Sequence, residues 1–361
     1  MAKALIAMSG GVDSSAAALL MKNAGFECIG VTMKLRESGG EFSEKACCTA
    51  DDAEDARGVC AKLGMPFYVF NFTEEFNKNV VDNFVHSYEI GETPNPCIDC
   101  NRFLKFGKLY RRAEELGCDV IVTGHYARIE FNENTGRWLL KKSLNAAKDQ
   151  SYVLYFLSQE QLAHTRLPLG EFADKSDVRS LAESAGLLNA AKRESQDICF
   201  VPDGDYAGFI REYSGKSYPE GDFVGTDGAV LGKHRGLIHY TVGQRKGLGI
   251  SYSEPLYVCK KSPKSNTVIL GTEKELFSDE LTARDFNWIS LPEPPAEPIE
   301  VSVRTRYHAK EARAVAVSNA DKTVTIRFEE PQRAISPGQA VVLYDGDTVV
   351  GGGVIAVDSK Q

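Results

Sequence analysis

The 361-residue chain lacks any run of eighteen apolar residues, so it offers no candidate for a membrane-spanning helix. We expect no export signal in MAKALIAMSGG, because its apolar run is short and enters a Gly-Gly turn. Internal repeats and low-complexity tracts are absent. The net charge of −8 excludes a surface coated with basic residues, so contacts with nucleic acid would come from local basic stretches. We expect a cytoplasmic protein with no membrane partner.

The nine cysteines lack the even number and regular spacing of a disulfide framework, and reduced thiols are expected. One Cys-x-x-Cys unit occurs, in TPNPCIDCNRF, where it provides Cys97 and Cys100. The unit alone is compatible with a metal clip, a redox pair, sulfur chemistry or two inert thiols in a proline-rich turn. A closed zinc site is disfavoured, since it needs four ligands and no second pair is present.

Strand-like and helix-like segments alternate through the first half of the chain. The apolar runs KALIAM, FECIGVTMKL, PFYVFNF and DVIVTGHYA predict strands, and the segments between them predict helices. We expect one helix, opened by a threonine cap, over TEEFNKNVVDNFVHSYEIG and another over AKDQSYVLYFLSQEQLAHT. This alternation predicts a Rossmann-like α/β domain with a mostly parallel sheet.

The character of the sequence changes after about residue 205, where glycines become frequent and helical periodicity disappears. These features predict a small, mainly β central domain. A proline-rich joint, LPEPPAEP, then leads into alternating segments and an Asp-Gly turn signal at residues 345–346, which predict a C-terminal β-barrel or sandwich. The expected domain boundaries are 1–205 for the α/β domain, 206–282 for the central domain and 283–361 for the C-terminal β-barrel.

The first predicted strand runs through SGGVDSS, residues 9–15, into the first predicted helix. Small residues in such a turn let backbone N–H groups converge on an anion, and the helix N-terminus adds partial positive charge. The lysine of a Walker motif is missing. The stretch instead resembles the SGGxDS loop of the PP-loop ATP pyrophosphatases, a fold of the adenine nucleotide alpha-hydrolase type, which implies that it holds the pyrophosphate part of ATP. The alternative is a plain turn capped by Ser9 or Asp13.

The expected ATP site extends to neighbouring strand ends, because ligands of open α/β sheets collect at the carboxyl edge. Met33 could flank the adenine, and Gly124 follows the fourth predicted strand. Asp13 is a candidate for the helix cap or for Mg²⁺ held on the phosphates. The candidate ATP-binding residues are Ala7, Met8, Ser9, Gly10, Gly11, Val12, Asp13, Ser14, Met33 and Gly124.

Seven motifs follow one another along the chain: MSGGVDSS, CCTADDAEDAR, TPNPCIDCNRFLKF, TGHYAR, KDQSYVL, SQDICF and YTVGQRKGLGI. Together they resemble the bacterial and mitochondrial tRNA-specific 2-thiouridylases from end to end. The resemblance implies ATP-dependent 2-thiolation of the wobble uridine of tRNA. AMP would be transferred to the uridine O2, and persulfide sulfur would then replace that oxygen at C2. The implied partners are the anticodon stem-loop of tRNA and an upstream persulfide-donating relay protein or cysteine desulfurase.

The resemblance also implies roles for the thiols. Cys199 would carry the persulfide, and Cys100 would release its sulfur and leave a disulfide. We expect a helix to begin near Cys100 and its first turn to favour the thiolate. Cys97 stands where part of the family has aspartate, so Cys97, Cys100 and Cys199 could instead hold a [4Fe-4S] cluster with one open iron, and both routes stay open. The vicinal Cys47 and Cys48 receive no role.

The expected tRNA contacts come from the same resemblance and are His125, Lys148, Asp149, Gln150, Arg306, Tyr307 and Gln339. Two other functions compete with thiolation. A PP-loop amidating ligase of the argininosuccinate or GMP synthase type would use the same loop, but ammonia transfer needs no thiols. An RNA-binding module with a regulatory nucleotide site would show no turnover of ATP.

Overall fold

The computed structural model describes residues 1–36, 50–187 and 198–357. The chain forms two compact units: the first comprises Met1–Val80, Cys97–Gly204 and Asp347–Val350, and the second comprises Val81–Pro96, Asp205–Gly346 and Gly351–Gln361. The domain boundaries expected from the sequence stay a prediction. Among the described residues, no helix has both the length and the apolar character needed to cross a bilayer.

The described residues of the first half of the chain form seven strands: β1 (Lys3–Ala7), β2 (Glu27–Lys34), β3 (Phe67–Asn71), β4 (Val120–Val122), β5 (Ala127–Asn132), β6 (Arg137–Lys142) and β7 (Thr165–Arg166). Five of them form a parallel sheet in the order β3-β2-β1-β4-β7. The order runs outward in both directions from β1, as in doubly wound α/β folds. The expected Rossmann-like domain is confirmed, and β5 and β6 form an antiparallel hairpin.

Nine α-helical segments lie in the described residues: α1 (Val12–Asn23), α2 (Ala50–Lys62), α3 (Thr73–Phe76), α4 (Asp82–Glu89), α5 (Pro96–Asp99), α6 (Tyr110–Glu115), α7 (Gln159–Ala163), α8 (Lys175–Ser184) and α9 (Tyr206–Ser214). Wider π-helical turns occupy Asn77–Val81 and Cys100–Leu109. Small side chains let α1 approach the sheet, and Ala16, Ala17 and Ala18 are fully buried there.

Three helical expectations were wrong in detail. The threonine expected to cap α3, Thr73, is the first residue of the helix, and Phe72 occupies the cap position. The Thr73 N–H donates to the side-chain oxygen of Asn71 at 3.1 Å. The long helix expected over residues 147–165 is instead a 3₁₀ turn, Ser151–Leu154, followed by α7. The break has a local cause: Ser158 adopts an extended conformation and forms a capping box with Gln161, which starts a new helix. Helix α9 lies where helical periodicity was expected to vanish.

The described residues after Asp205 form two β structures. Strands β8 (Gly221–Gly225), β9 (Val230–His234), β10 (Tyr257–Ser262) and β11 (Thr267–Gly271) form a sheet in the order β10-β11-β8-β9. Six later strands form a closed barrel, because the last pairs with the first: β12 (Phe277–Trp288), β13 (Ile299–Arg304), β14 (Ala312–Ser318), β15 (Val324–Arg333), β16 (Ala340–Asp345) and β17 (Thr348–Ile355). The expected small β domain and C-terminal barrel are confirmed, and the turn at 345–346 joins β16 to β17.

Candidate active site

The turn between β1 and α1 is held together by its own serines. The Ser14 hydroxyl donates to the Gly11 carbonyl at 3.0 Å, and its oxygen accepts a bond from the Ser9 N–H at 3.2 Å. The Ser15 hydroxyl donates to the same carbonyl, also at 3.0 Å. Gly10 has a φ of +71°, a left-handed conformation that glycine adopts without strain. The result is a tight, small-residue turn at a helix N-terminus, the local geometry that suits a phosphate group.

Asp13, in the first turn of α1, is held by two side chains that are distant in sequence. The Tyr126 hydroxyl donates to Oδ1 at 2.8 Å, and Lys175 Nζ donates to Oδ2 at 3.0 Å. Lys175 Nζ also lies 5.6 Å from the centre of the Tyr126 ring. The Lys175 side chain is only 12% exposed, so the ion pair is largely removed from water.

The loop that follows β4 touches the turn through Gly124. A Cβ atom built at position 124 would lie 2.9 Å from the carbonyl carbon of Asp13 and 3.0 Å from the nitrogen of Ser14. On the other side of β1, the Thr32 hydroxyl donates to the Met8 carbonyl at 2.8 Å, and the neighbouring Met33 is buried. The residues expected to bind ATP therefore lie at or beside the carboxyl ends of β1, β2 and β4, and their contacts with the nucleotide stay a prediction.

The three candidate reactive thiols belong to the first unit. Cys97 is exposed, whereas Cys100 and Cys199 are half-buried. Helix α5 begins at Pro96 and runs directly into the π-helical turns Cys100–Leu109, so a helix does begin near Cys100, but Cys97 is the thiol in its first turn. Proline suits that position because it has no N–H group to leave unsatisfied. Cys47 and Cys48 lie outside the described residues.

A metal or cluster site needs several donor side chains in one place. Within residues 1–36, 50–187 and 198–357, no three histidine, cysteine, aspartate or glutamate side chains come together in a set that could hold a metal ion. The arrangement of Cys97, Cys100 and Cys199 in this structure therefore does not fit a three-thiolate iron–sulfur site.

The expected tRNA contacts of the first unit are more buried than surface contacts would be. His125 is 8% exposed, and its Nδ1 lies 2.7 Å from the Thr123 hydroxyl. Burial, assisted by the charge of Lys105, holds the pKa of His125 well below its usual range, so the imidazole is neutral at physiological pH. A neutral ring can recognise a base or a hydroxyl group but gives no ionic contact with phosphate.

The segment Lys148–Gln150 is anchored by its polar side chains. Asp149 is 5% exposed and accepts bonds from the Ser143 N–H at 3.1 Å and the Ser151 hydroxyl at 3.0 Å. The side-chain carbonyl of Gln150 accepts the Tyr126 N–H at 2.9 Å. Lys148 is half-buried. In this structure Asp149 and Gln150 shape the loop, and their contact with tRNA stays a prediction.

The remaining expected tRNA contacts lie in the second unit. Arg306 Nη2 donates to the Ala334 carbonyl at 2.6 Å and to the Ser336 hydroxyl at 2.8 Å. Gln339 Nε2 donates to the Thr93 carbonyl at 2.7 Å. Tyr307 is half-buried and packs edge-on against His308. The observed bonds of Arg306 and Gln339 support the loops of their own unit, and the tRNA contacts of all three residues stay predictions.

Sequence reasoning missed Tyr126 and Lys175, both of which contact Asp13. One signal in the sequence pointed to Lys175. Lys175 is the first residue of α8, where its positive charge is repelled by the positive end of the helix dipole. The helix itself therefore does not explain why a lysine occupies this position. Such a residue indicates a tertiary partner of opposite charge, although the sequence does not identify which acid that is.

Comparison with protein families matches three models along the chain. The model described as "tRNA methyl transferase HUP domain" matches residues 2–203, "tRNA methyl transferase PRC-barrel domain" matches 207–272, and "Aminomethyltransferase beta-barrel domain" matches 278–355. The first alone covers more than half of the chain.

Similar curated proteins match over nearly their whole length. The "tRNA-specific 2-thiouridylase MnmA" of Clostridioides difficile is 50% identical over 98% of this chain and 98% of that protein. The protein of the same name from Acetivibrio thermocellus is 50% identical over 98% of this chain and 99% of its own. Among solved structures, a 4-thiouridine synthetase–RNA complex with bound ATP is 21% identical, covers 56% of this chain and 45% of that chain, and has a TM-score of 0.34.

Proposed function

The chain belongs to the family of tRNA-specific 2-thiouridylases, and from that membership we propose that it is a tRNA-uridine 2-sulfurtransferase. It replaces the O2 atom of the wobble uridine of tRNA by sulfur and converts ATP into AMP and pyrophosphate. The observation that carries this proposal is the 50% identity over 98% of both chains to relatives named for this activity. The descriptions of two matching family models mention methyl transfer, but relatives named 2-thiouridylases match along the entire chain.

Activation comes first, because the uridine C2 carbonyl is a poor electrophile. The O2 oxygen attacks the α-phosphorus of ATP, the bond to the β-phosphate oxygen breaks, and pyrophosphate leaves. The turn at Ser9–Ser15 is suited to hold the pyrophosphate part, since it presents backbone at the N-terminus of α1. Asp13 supplies a carboxylate where a Mg²⁺ ion could join the phosphates. Met33 and Gly124 would complete the nucleotide site.

Sulfur transfer follows and uses two thiols. The terminal sulfur of a persulfide on Cys199 attacks C2, and AMP leaves with the former O2 oxygen. The Cys100 thiolate attacks Sγ of Cys199, which breaks the sulfur–sulfur bond, leaves 2-thiouridine and forms a Cys100–Cys199 disulfide. A thiol reductant supplies two electrons to regenerate the pair. The half-buried setting of both cysteines supports this route, since both are partly accessible within one unit.

A cluster-dependent transfer would require Cys97, Cys100 and Cys199 to act together as iron ligands. The described residues contain no such set, so no step is derived through a cluster. The two routes are distinguished by measuring iron and acid-labile sulfide in protein that has been purified without oxygen. The cluster-free route predicts neither in stoichiometric amount, together with full activity after treatment with a chelator.

We also propose the RNA substrate of the enzyme, its sulfur donor and the cellular compartment in which it acts. The substrate is the anticodon stem-loop of tRNA, and the target uridine leaves its base stack to enter the active site. His125, Lys148, Asp149, Gln150, Arg306, Tyr307 and Gln339 are the proposed contacts. The sulfur comes from a persulfide-donating relay protein or a cysteine desulfurase, and the enzyme acts in the cytoplasm.

Mass analysis of tRNA nucleosides tests the function directly. The purified chain is incubated with tRNA, ATP, a cysteine desulfurase and cysteine. We expect 2-thiouridine and AMP in equal amounts, with no product from Cys199→Ser or Cys100→Ser and normal product from the matched control Cys118→Ser. AMP formed only with an amino acid or keto substrate would identify an amidating ligase, and RNA binding without any turnover of ATP would identify a binding module.

A further inference from the structure

The residues shortly before Cys97 are held by a loop of the β-barrel, residues 337–339, which we call the barrel clamp. The Thr93 N–H donates to the Pro337 carbonyl at 2.8 Å. In the opposite direction, Gln339 Nε2 donates to the Thr93 carbonyl at 2.7 Å and to the Pro94 carbonyl at 3.3 Å. These four bonded residues all belong to the second unit. The clamp therefore holds this segment with its backbone and with one side chain.

Gly338 lets the clamp approach the segment closely. Its φ is +86°, and a Cβ atom at this position would lie 2.7 Å from Cβ of Glu92 and 2.9 Å from the nitrogen of Thr93. The clamp is itself fixed to the end of β17, because the Gly338 N–H donates to the Ile355 carbonyl at 2.9 Å and the Ile355 N–H donates to the Gln339 carbonyl at 2.8 Å. An added side chain at position 338 would therefore displace the segment or break these bonds.

The link from the clamped segment to the thiols is short and stiff. Only Asn95 and Pro96 separate Pro94 from Cys97. Each proline fixes its own φ at about −65° and confines the preceding residue to extended conformations. Helix α5 begins at Pro96 and runs into the π-helical turns that begin at Cys100. A displacement of Pro94 would therefore pass along the chain to the backbone that carries both thiols.

We propose that Gly338 and Gln339 are positioning residues for sulfur transfer, because the barrel clamp fixes the segment that leads to Cys100. This role rests on the proposed function. In that reaction the terminal sulfur of the Cys199 persulfide attacks C2 of the uridine, and AMP leaves with the electron pair of the broken C2–O2 bond. The uridine is then joined to Cys199 through a sulfur–sulfur bond. The Cys100 thiolate breaks that bond by attack at Sγ of Cys199, and the electron pair stays on the sulfur of 2-thiouridine.

A displaced Cys100 should uncouple the two halves of the reaction. Formation of AMP does not need Cys100, whereas release of 2-thiouridine does. Misplacement of a reacting group by about 1 Å can slow a reaction about 100-fold, so we expect a disturbed clamp to slow the release about 10- to 100-fold. The uridine should then stay attached to Cys199, as an adduct of protein and tRNA that a thiol reductant cleaves.

Single-turnover kinetics of two clamp variants test the proposal. Each protein is loaded with persulfide by a cysteine desulfurase and cysteine, and it is then mixed with MgATP and saturating tRNA. Gly338→Ala adds a methyl group that collides with Glu92 and Thr93, and Gln339→Glu replaces the donating amide by a carboxylate, which the Thr93 carbonyl repels. For both variants we expect AMP at the wild-type rate, slow release of 2-thiouridine and an adduct on non-reducing gels. Dithiothreitol added after the turnover should cleave the adduct and release 2-thiouridine.

Gly346→Ala and Gln332→Glu are the matched controls. Gly346 has a φ of +58°, but a Cβ atom there meets nothing within 4 Å, and Gln332 Nε2 donates to the carbonyl of nearby Glu330 at 2.8 Å. Both controls should release 2-thiouridine at the wild-type rate.

Parallel loss of AMP and 2-thiouridine in the clamp variants overturns the proposal, and so does release of 2-thiouridine at the wild-type rate. If Gly338→Ala does not fold, Gln339→Glu decides alone. Normal wild-type protein with clamp variants that behave like the controls refutes the positioning role alone. Wild-type protein that forms no 2-thiouridine refutes the proposed function and the positioning role with it.

Discussion

Gly124 and Asp13 are in backbone contact: a side-chain carbon at position 124 would lie 2.9 Å from the Asp13 carbonyl carbon. Neither partner can yield easily, because Asp13 belongs to the first turn of α1 and is held by Tyr126 and Lys175. The absence of a side chain at Gly124 therefore sets how closely the loop after β4 approaches the turn at residues 9–15.

We predict that Gly124→Ala impairs ATP binding. The added methyl group must push the loop or the turn aside, at a cost of about 1–3 kcal/mol, which corresponds to a loss of about 5- to 150-fold in affinity. Gly58→Ala is the control, since a Cβ atom there meets nothing within 4 Å, and in the middle of α2 it should stabilise the protein by about 0.5–1 kcal/mol. Calorimetric titration and thermal unfolding measure both effects. Wild-type affinity in Gly124→Ala would show that the contact is unimportant.

A comparison of alanine variants at Gly10 and Gly25 distinguishes the cost of a left-handed backbone from the cost of a steric clash. Both have a left-handed backbone, with φ of +71° and +84°, but only at Gly10 would a Cβ atom collide, with the backbone of Asp52. We predict that Gly25→Ala loses about 1–2 kcal/mol of stability with normal ATP binding. Gly10→Ala should lose more than that and bind ATP poorly. Equal unfolding midpoints for the two variants would contradict this account.

The thiols should differ sharply in reactivity towards iodoacetamide. Burial, assisted by Cys28, raises the pKa of Cys60 to about 11, and burial together with Glu275 does the same for Cys259. At pH 8 roughly one such thiol in a thousand is ionised, and the thiolate is the reactive form. We predict that exposed Cys97 is alkylated at least about 100-fold faster than Cys60 in the folded protein. Peptide mass spectrometry follows the rates, and unfolded protein, in which all thiols should react alike, is the control.

The buried Lys261 should make the free energy of unfolding depend on pH in the alkaline range. It is 6% exposed, its Nζ lies 3.4 Å from the Glu92 carbonyl oxygen, and burial, opposed in part by the charge of Glu92, lowers its pKa to about 8. An unfolded lysine has a pKa of about 10.4. Between these values the unfolded chain binds a proton that the folded chain does not, so this group increases stability as the pH rises through that window.

Lys261→Met should remove this dependence. We expect the variant to be more stable than the wild-type protein at pH 7, by about 1–3 kcal/mol, and the difference to shrink as the pH approaches 10. Unfolding in denaturant across pH 7–10 measures it. A difference that does not change with pH would mean that Lys261 keeps its usual pKa.

Arg284 and Arg327 form ion pairs of similar length in very different settings. Arg284 Nη2 donates to both carboxylate oxygens of Glu92 at 2.9 Å, and the Glu92 side chain is 7% exposed. Arg327 meets Glu280 at 2.8 Å, with both side chains largely in solvent. Arg284→Ala removes both of these charge-assisted hydrogen bonds from a buried carboxylate, so we predict a loss of about 3–5 kcal/mol. Arg327→Ala should cost less than about 1 kcal/mol. Chemical denaturation measures the free energy of unfolding of both variants. If the two variants lost similar amounts of stability, the difference in burial between the two ion pairs would not matter as argued.

Local patterns predicted much of the fold. The apolar runs predicted four of the five strands of the parallel sheet but not β7, and the Asp-Gly pair predicted the turn between β16 and β17, because period and turn chemistry depend on near neighbours. The break before α7 escaped prediction, since the capping box of Ser158 and Gln161 competes with an otherwise continuous helical pattern. The assignment of Val81–Pro96 to the second unit is likewise a property of long-range packing.

The sequence by itself determined the small-residue turn after β1, the strand ends that surround it and the short motifs that contain the thiols, because each of these features depends on residues that are close together in the chain. Only the tertiary structure decided that Asp13 meets Tyr126 and Lys175, that Gly124 is pressed against the turn, and that His125 is buried and neutral. These relationships join residues tens to more than a hundred positions apart, or depend on burial. Partner choice and loss of water arise only when the whole chain packs, and no local pattern encodes them.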